Sequence, residues 1–358
     1  MSERLRVGVI FGGTSGEHDI SLLTAEGVLG AIDRTRYEVV PVGISRTGTW
    51  AVGEGVLQRL TRDASADGSA KPQAPPQDTI GAMSAALKLL SDARVDVVFP
   101  LLHGPMGEDG TLQGLLEFCG VPYVGCGVAA SAVAMDKGLA KDVFRSHSVP
   151  TLPWTLVRRG TWQAERARVL QDLEASFSYP LFVKPANLGS SVGISKVDNR
   201  EQLAAGLDLA ARYDERLLVE PGIDAREIEV AILGNSRPQA SVPGEIRPHR
   251  EFYDYKAKYF DDATELIVPA VLDDSLVREL QALAVQSFAA LACSGIARVD
   301  FLLERGTNKP YISEVNTMPG FTRSSMYPRL WEASGIGYGR LIDRLVELAL
   351  QLRGGGVM

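Results

Sequence analysis

Short apolar runs alternate with helical periodicity over residues 5–124, and this alternation limits the first third of the chain to very few architectures. Residues 5–11 (LRVGVIF) form a continuous apolar run ending in Gly12-Gly13. That pattern predicts a strand buried on both faces, followed by a tight turn. A helical pattern follows over 21–32, a second strand over 37–44 and turn chemistry over 46–48. A helix near 81–91, a strand over 95–102, a helix over 111–119 and a short strand over 122–124 complete the series. Strands alternating with helices give a doubly wound α/β unit on a parallel sheet. Residues 61–80 are polar and proline-rich without a period, and read as a surface excursion.

From about 136 the texture changes to short strands and helices. Helices are predicted over 137–146, 161–176, 200–212, 275–292 and 337–352, and a strand over 154–157. PLFVKPANLGSSVGISKV reads as two short strands joined by a loop of small residues, LLVEPGIDAREIEVAIL as strand paired with strand, and ARVDFLLERGTNKPYISEVN as a hairpin. TMPGFTRSSMYPRL reads as irregular. Residues 244–265, polar and aromatic, are too long for a quiet turn and form a candidate lid.

Composition narrows the function classes. The 358 residues carry 37 Lys and Arg against 44 Asp and Glu, a net charge of −7. This mild acidity argues against nucleic acid as a partner, which calls for basic excess on some face. No apolar run reaches the roughly 18 residues of a membrane span, and the charged start leads straight into a strand rather than a signal peptide. The expectation is a cytoplasmic multidomain protein with no membrane partner. Cys119, Cys126 and Cys293 lack metal or disulfide spacing and read as buried free thiols.

Four stretches can carry chemistry. GGTSGEHDIS opens a helix after a strand, so its backbone N–H groups can meet an anion. Phe11 stands where a dinucleotide fingerprint needs its first glycine, and no phosphate-loop motif exists. A tight turn serving packing is the competing reading. Glu17 at the helix mouth suits the helix dipole or a substrate ammonium group equally. In FVKPANLGSSVGISKV, Lys184 followed by small donors suits polyphosphate, or is an ordinary hairpin. Arg298 and Asp300 share one face of a strand, as do Glu314 and Asn316. Hard oxygen donors on adjacent strands suit Mg²⁺ bridging phosphates, with Arg298 aimed at developing negative charge. Surface carboxylates on a hairpin are the alternative. In EFYDYKAKYFDD, two lysines among three tyrosines are either a solvated loop or a cover.

GGTSGEHDIS, LLHGPMGEDGTLQGLLE, GVAASAVAMDK, VKPANLGSSVGISKV, FYDYKAKY, GIARVDFLL and EVNTMPGFTRSS occur in this order along the chain. Together they resemble the ATP-grasp superfamily and, within it, the D-alanine–D-alanine ligases of bacterial cell-wall synthesis. The resemblance implies an N-terminal doubly wound domain (1–135) that binds the first substrate, followed by a two-part ATP-grasp module. The parts are a central subdomain (136–222) and a C-terminal subdomain (223–358) bearing the lid and a metal site. It implies ATP phosphates held by Lys137, Lys184 and Lys258 and covered by Ser190, Ser191, Val192 and Gly193. Glu220, Pro221 and Ile223 would meet adenine, with Glu227 on the ribose; Pro221 has no N–H, so it can offer only its carbonyl. Asp300, Glu314 and Asn316 would bind two Mg²⁺ or Mn²⁺, with a monovalent cation as a further expectation. Glu17, in a set with Ser190 and Tyr259, would take the ammonium of the first D-alanine, and His103 belongs near it. Arg298 and the Gly320 N–H would form an oxyanion site. Ser325 and the Met326 N–H would hold the second D-alanine. The family also implies a homodimer, and Tyr259, a neutral phenol, favours an amine over a hydroxy acid as second substrate; depsipeptide or other carboxylate–amine ligation is the alternative.

Overall fold

The computed structural model describes residues 4–67, 79–189, 192–247 and 264–354. Three sheets follow in chain order. The first contains β1 (Leu5–Gly12), β2 (Tyr37–Ile44), β3 (Trp50–Val52) and β4 (Val97–Pro100) in the order β3-β2-β1-β4. β1 is flanked by parallel β2 and β4, while β3 is an antiparallel edge. Alternate residues of these strands enter different cores, as expected when both faces are covered: Val7, Val9 and Phe11 in one, Ile10, Val40 and Val42 in the other. The expected strand at 122–124 is reduced to one parallel bridge between Val98 and Tyr123.

The second sheet is antiparallel, with β5 (Thr155–Arg158), β6 (Leu181–Pro185), β7 (Ser195–Val197) and β8 (Arg216–Pro221) in the order β5-β8-β6-β7. Leu181, Val183, Leu217 and Val219 point to one face, where Trp162, Leu173, Leu203 and Leu207 complete a separate core. Period-two alternation therefore turns Phe182, Lys184 and Glu220 to the other face.

The third sheet holds β9 (Ala225–Gly234), β10 (Gln239–Ala240), β11 (Gly244–Arg247), β12 (Glu265–Ile267), β13 (Gly295–Glu304) and β14 (Pro310–Asn316). Its order is β12-β11-β9-β13-β14, with β10 also on β9. One face packs Ile228, Val230, Val299 and Phe301 against helix Asp274–Ala290. On the other, Ala231, Leu233 and Ile296 join the first sheet's core together with helix Tyr338–Gly354. The rings of Phe99 and Phe321 meet edge to face at 5.8 Å across this junction. Further along the same face the residues become Glu229, Arg298 and Asp300, so an apolar seam runs directly into a charged one.

Several expectations need correction. Helices Val56–Asp67 and Thr79–Ala93 replace both ends of the predicted excursion, whose remaining residues 68–78 lie outside the described ones. The helix after the glycines begins at His18, not 21, and helix Val128–Met135 was not anticipated. The predicted helix over 161–176 divides at Glu165 into Arg159–Ala164 and Arg166–Ser176. The stretch read as irregular contains helix Met326–Ala333, with Pro328 in its first turn, where a missing N–H costs no helical hydrogen bond. β8 and β9, expected to pair, belong to different sheets. β11 and β12 form a ladder at the two ends of the candidate lid, so residues 244–247 and 265 are strand. Cys126 and Cys293 are buried, but Cys119 is exposed just past the end of helix Thr111–Phe118.

The first turn settles a choice left open by the sequence. The Gly12 N–H donates to Ser21 Oγ at 2.7 Å and the Gly13 N–H to the Ile44 carbonyl at 2.9 Å. These donors hold the fold together and do not face an anion. Gly12 has φ +93°, and a Cβ there would stand 2.1 Å from the Ile44 oxygen. Gly12→Ala is expected to destabilise the protein by about 2 kcal/mol or more, because strained φ and overpacking act together. Denaturant unfolding checks this, and an unchanged midpoint would contradict the close approach.

Candidate active site

The sheets border a partly open cleft. Six residues singled out in the sequence meet on its walls: Glu17, His103, Lys137, Glu314, Asn316 and Gly320. They come from the loop after β1, the loop after β4, the first turn of helix Lys137–Ser146, and β14 with the segment after it.

Glu17 occupies the N-cap position of helix His18–Ala31 without making a side-chain cap, and its buried carboxylate lines the cleft instead. The loop that carries it is pinned from several sides. Ser15 Oγ donates to the His103 carbonyl at 2.7 Å, and Arg46 pairs with Asp19 at 2.6 Å. His18 Nδ1 lies 2.7 Å from the Gly13 carbonyl, and burial pushes this imidazole below its ordinary value, so it is a neutral donor there. Gly104, at φ +73°, passes so near Glu17 that a Cβ would stand 2.7 Å from its Oε2. His103 is buried, with Nδ1 at 3.2 Å from the Met318 carbonyl.

Three lysines sit on one side. Lys137 Nζ donates to the Leu188 carbonyl at 2.7 Å and stands 3.3 Å from Glu314 Oε2, bridging the second and third sheets. Its backbone N–H donates to the Ala186 carbonyl at 2.8 Å, fixing the helix start at the end of β6, and Asp136 caps that helix by accepting from Leu139. Lys184 Nζ lies 2.5 Å from Glu220 Oε1, and Lys141 Nζ lies 2.9 Å from Glu220 Oε2. Burial alone would raise the Glu220 carboxyl and lower the Lys184 ammonium. The mutual attraction prevails, holding Glu220 at about 2 and Lys184 above its ordinary value, with Glu314 and Glu227 adding to the field on Lys184. Pro221 and Ile223 follow Glu220 at the crossing from β8 to β9, and Glu227 lies on β9.

On the third sheet Glu229, Asp300 and Glu314 stand directly opposite one another across β9, β13 and β14. Three adjacent carboxylates would repel, and Arg298 compensates. It makes a two-pronged contact with Asp300 at 2.6 and 2.6 Å and reaches Glu229 at 3.0 Å. Burial works against this guanidinium, but Asp300 and Glu229 hold it firmly charged. Asn316 Oδ1 accepts from the Met318 N–H at 3.1 Å. Among the described residues no group of three or more His, Cys, Asp or Glu forms a metal cluster. Two carboxylates and an amide nonetheless fit a Mg²⁺-class ion, which takes few protein ligands and completes its shell with water and substrate phosphate.

Gly320 and Ser325 are neighbours: a Cβ on Gly320 would stand 3.2 Å from Ser325 Oγ. Ser325 Oγ accepts from the Thr322 N–H at 3.1 Å and lies at the N-terminus of helix Met326–Ala333, so the Met326 N–H belongs to its first turn. Val192 and Gly193 are described but do not line the cleft. Ser190, Ser191, Lys258 and Tyr259 lie outside the described residues.

Three residues of the site escaped sequence reasoning. Lys141 is one helical turn from Lys137 and so on the same face, a spacing that signals it. Glu229 is two residues from Glu227 on one strand, hence on the same face. Glu108, inside HGPMGEDG, is buried and lines the cleft.

A parallel-sheet domain followed by two antiparallel sheets, with Lys184 and Glu220 on one and Arg298, Asp300 and Glu314 on the other, defines an enzyme of the ATP-grasp class. Models of the "D-ala D-ala ligase" N-terminus and C-terminus match residues 6–126 and 143–347. The D-alanine–D-alanine ligase of Heliobacterium modesticaldum is 48% identical over 344 residues, 96% of this chain and 94% of that one. The D-alanine–D-alanine ligase structure from Coxiella burnetii matches with TM-score 0.80 at 36% identity, covering 99% of this chain and 96% of that one. The VanG D-Ala:D-Ser ligase of Enterococcus faecalis matches with TM-score 0.82 at 32% identity, covering 97% and 100%. The chain belongs to the D-alanine–D-alanine ligase family.

The Glu220 pairing sets a pH dependence. The folded carboxyl, at about 2, is below its ordinary 4.5, so its contribution is complete above about pH 4.5 and is lost as pH falls toward 2. The stability gap between the wild type and Glu220→Gln should be full at pH 6 and narrow across that window. Denaturant titrations at several pH values read it; a gap independent of pH would contradict the pairing.

Proposed function

We propose that this protein uses ATP to join two D-alanine molecules into D-alanyl-D-alanine, through an acyl phosphate, for peptidoglycan precursor synthesis in the cytoplasm. The observation that carries this reading is the meeting of Glu17, Lys137 and Glu314, from three separate stretches, on one cleft. Such a cleft offers an anion to an ammonium group, a cation to phosphate and hard donors to a divalent ion. The reading includes a three-part division at 135/136 and 222/223 and a homodimeric assembly. Among the described residues no helix is long and apolar enough to cross a membrane.

Glu17 takes the ammonium of the first D-alanine, with Tyr259 and Ser190 completing its set and His103 beside it. Lys137, Lys184 and Lys258 draw the polyphosphate in, and residues 190–193 cover it. Glu220 accepts the adenine amino group, next to Pro221 and Ile223, with Glu227 on the ribose. Asp300, Glu314 and Asn316 hold two divalent ions, Mg²⁺ or Mn²⁺. These supply charge neutralisation on the transferring phosphoryl group.

A carboxylate is a poor electrophile, so one of its oxygens first attacks the γ-phosphorus, releasing ADP and leaving an acyl phosphate. This step is mainly positioning and charge neutralisation, which explains the density of cations. The second D-alanine, its carboxylate on Ser325 and the Met326 N–H, attacks the acyl carbon through its free amine. Arg298 and the Gly320 N–H stabilise the tetrahedral oxyanion; Asp300 and Glu229 hold that guanidinium in place. The C–O bond to phosphate then breaks, the amine's extra proton is lost, and the dipeptide remains. A lid between β11 and β12 would exclude water that hydrolyses the intermediate.

With ATP and Mg²⁺, D-alanine should give dipeptide and phosphate in equal amounts, and L-alanine should give neither. D-serine and D-lactate as second substrates test the related ligations, and a clear preference for either over D-alanine would overturn the assignment. Glu314→Ala should reduce turnover by about 10³-fold or more, since a lost divalent-ion ligand removes several kcal/mol of charge stabilisation. Unchanged turnover would remove the metal assignment.

A further inference from the structure

Lys141 is buried, as is Glu220, and a buried ammonium far from any need would be a cost that an apolar side chain avoids. Among the described residues its ionic partner is Glu220 Oε2 at 2.9 Å, while Lys184 holds Oε1 at 2.5 Å. The Trp154 ring, 5.7 Å from Lys141 Nζ, packs beside it. Two ammonium groups thus share one carboxylate, and the buried triad carries one excess positive charge. Lys141 does not line the cleft, and it sits on the helix whose first residue, Lys137, does.

We propose that Lys141 is a positioning residue for the nucleotide: it keeps Glu220 neutralised so that Lys184 is free to transfer to a phosphate oxygen. The inference rests on the ATP-dependent reading above. With Lys141 present, Lys184 leaves behind a carboxylate that still has a counter-ion. Without it, Lys184 is the sole partner of a buried carboxylate, and every nucleotide that draws it away strands that charge. The excess positive charge of the triad is then the feature that makes Lys184 an anion receptor rather than half of a closed ion pair.

The test is Lys141→Met, close in volume, with Lys141→Gln as a second loss variant and Lys141→Arg as the conservative one. The expected result for both loss variants is a KM for ATP raised at least about tenfold, equivalent to about 1.4 kcal/mol. The KM for D-alanine and kcat at saturating ATP should stay within about threefold of wild type, and Lys141→Arg should restore the KM for ATP. A folded loss variant with wild-type KM for ATP would overturn the proposal. So would losses spread equally over both substrates and kcat that arginine does not repair, the pattern of a helix merely loosened. Equilibrium titration with ATP separates this from the functional reading. If the wild type binds ATP but ligates no D-alanine, the substrate assignment fails, and weakened ATP binding in the variants still supports the role of Lys141.

Discussion

Opposite charges brought together from distant parts of the chain are what the rest of the structure has to support. Carboxylates at Glu17, Glu220, Glu229, Asp300 and Glu314 and cations at Lys137, Lys141, Lys184 and Arg298 crowd a region that is largely buried. Removing one partner from such a set leaves an uncompensated charge and costs about 3–5 kcal/mol, so the set holds only if each element is fixed. The apolar cores provide that fixing: the first sheet is packed on both faces, the second has its own core, and the third shares one face with the first. The seam through Phe99 and Phe321 ends where the charged row begins.

Strand alternation sorts the side chains of each sheet by face. On β6 and β8 the odd positions fill a core while Lys184 and Glu220 point the other way. On β13 the residues Arg298 and Asp300 share the face that Val299 and Phe301 leave. The chain crosses from the second sheet to the third between Pro221 and Ala225. Lys137 reaches Glu314 across the same boundary. Chemistry that needs a phosphate receptor on one side and hard oxygen donors on the other is served by this division of labour.

Much of this was legible in the sequence where periodicity was strong. The strands at 5–11 and 37–44, and the hairpin carrying Asp300 and Glu314, follow from apolar runs and alternation. The helix Met326–Ala333 was not legible, because Pro328 and the polar TRSS before it read as breakers, while Tyr327, Leu330 and Trp331 bury themselves against distant parts of the chain. β8 and β9 looked like a hairpin because a Pro-Gly turn joins two apolar runs, and only tertiary packing sends them to different sheets. Gly12-Gly13 offered anion-binding N–H groups until Ser21 and Ile44 were seen to accept from them. In the site, the lysine and carboxylate positions could be read, but their partners could not. Lys141 and Glu229 matter through contacts with residues far along the chain, to which local pattern is blind.

The central claim is that the cleft energises a carboxylate by phosphorylating it. The most direct measurement follows an oxygen atom. D-alanine labelled with ¹⁸O in its carboxylate is incubated with ATP and the protein, and the released phosphate is analysed by mass. Attack of the carboxylate on the γ-phosphorus predicts one labelled oxygen in each phosphate formed per dipeptide. Phosphate free of label, with both labelled oxygens of the first residue unaccounted for in it, would contradict the account.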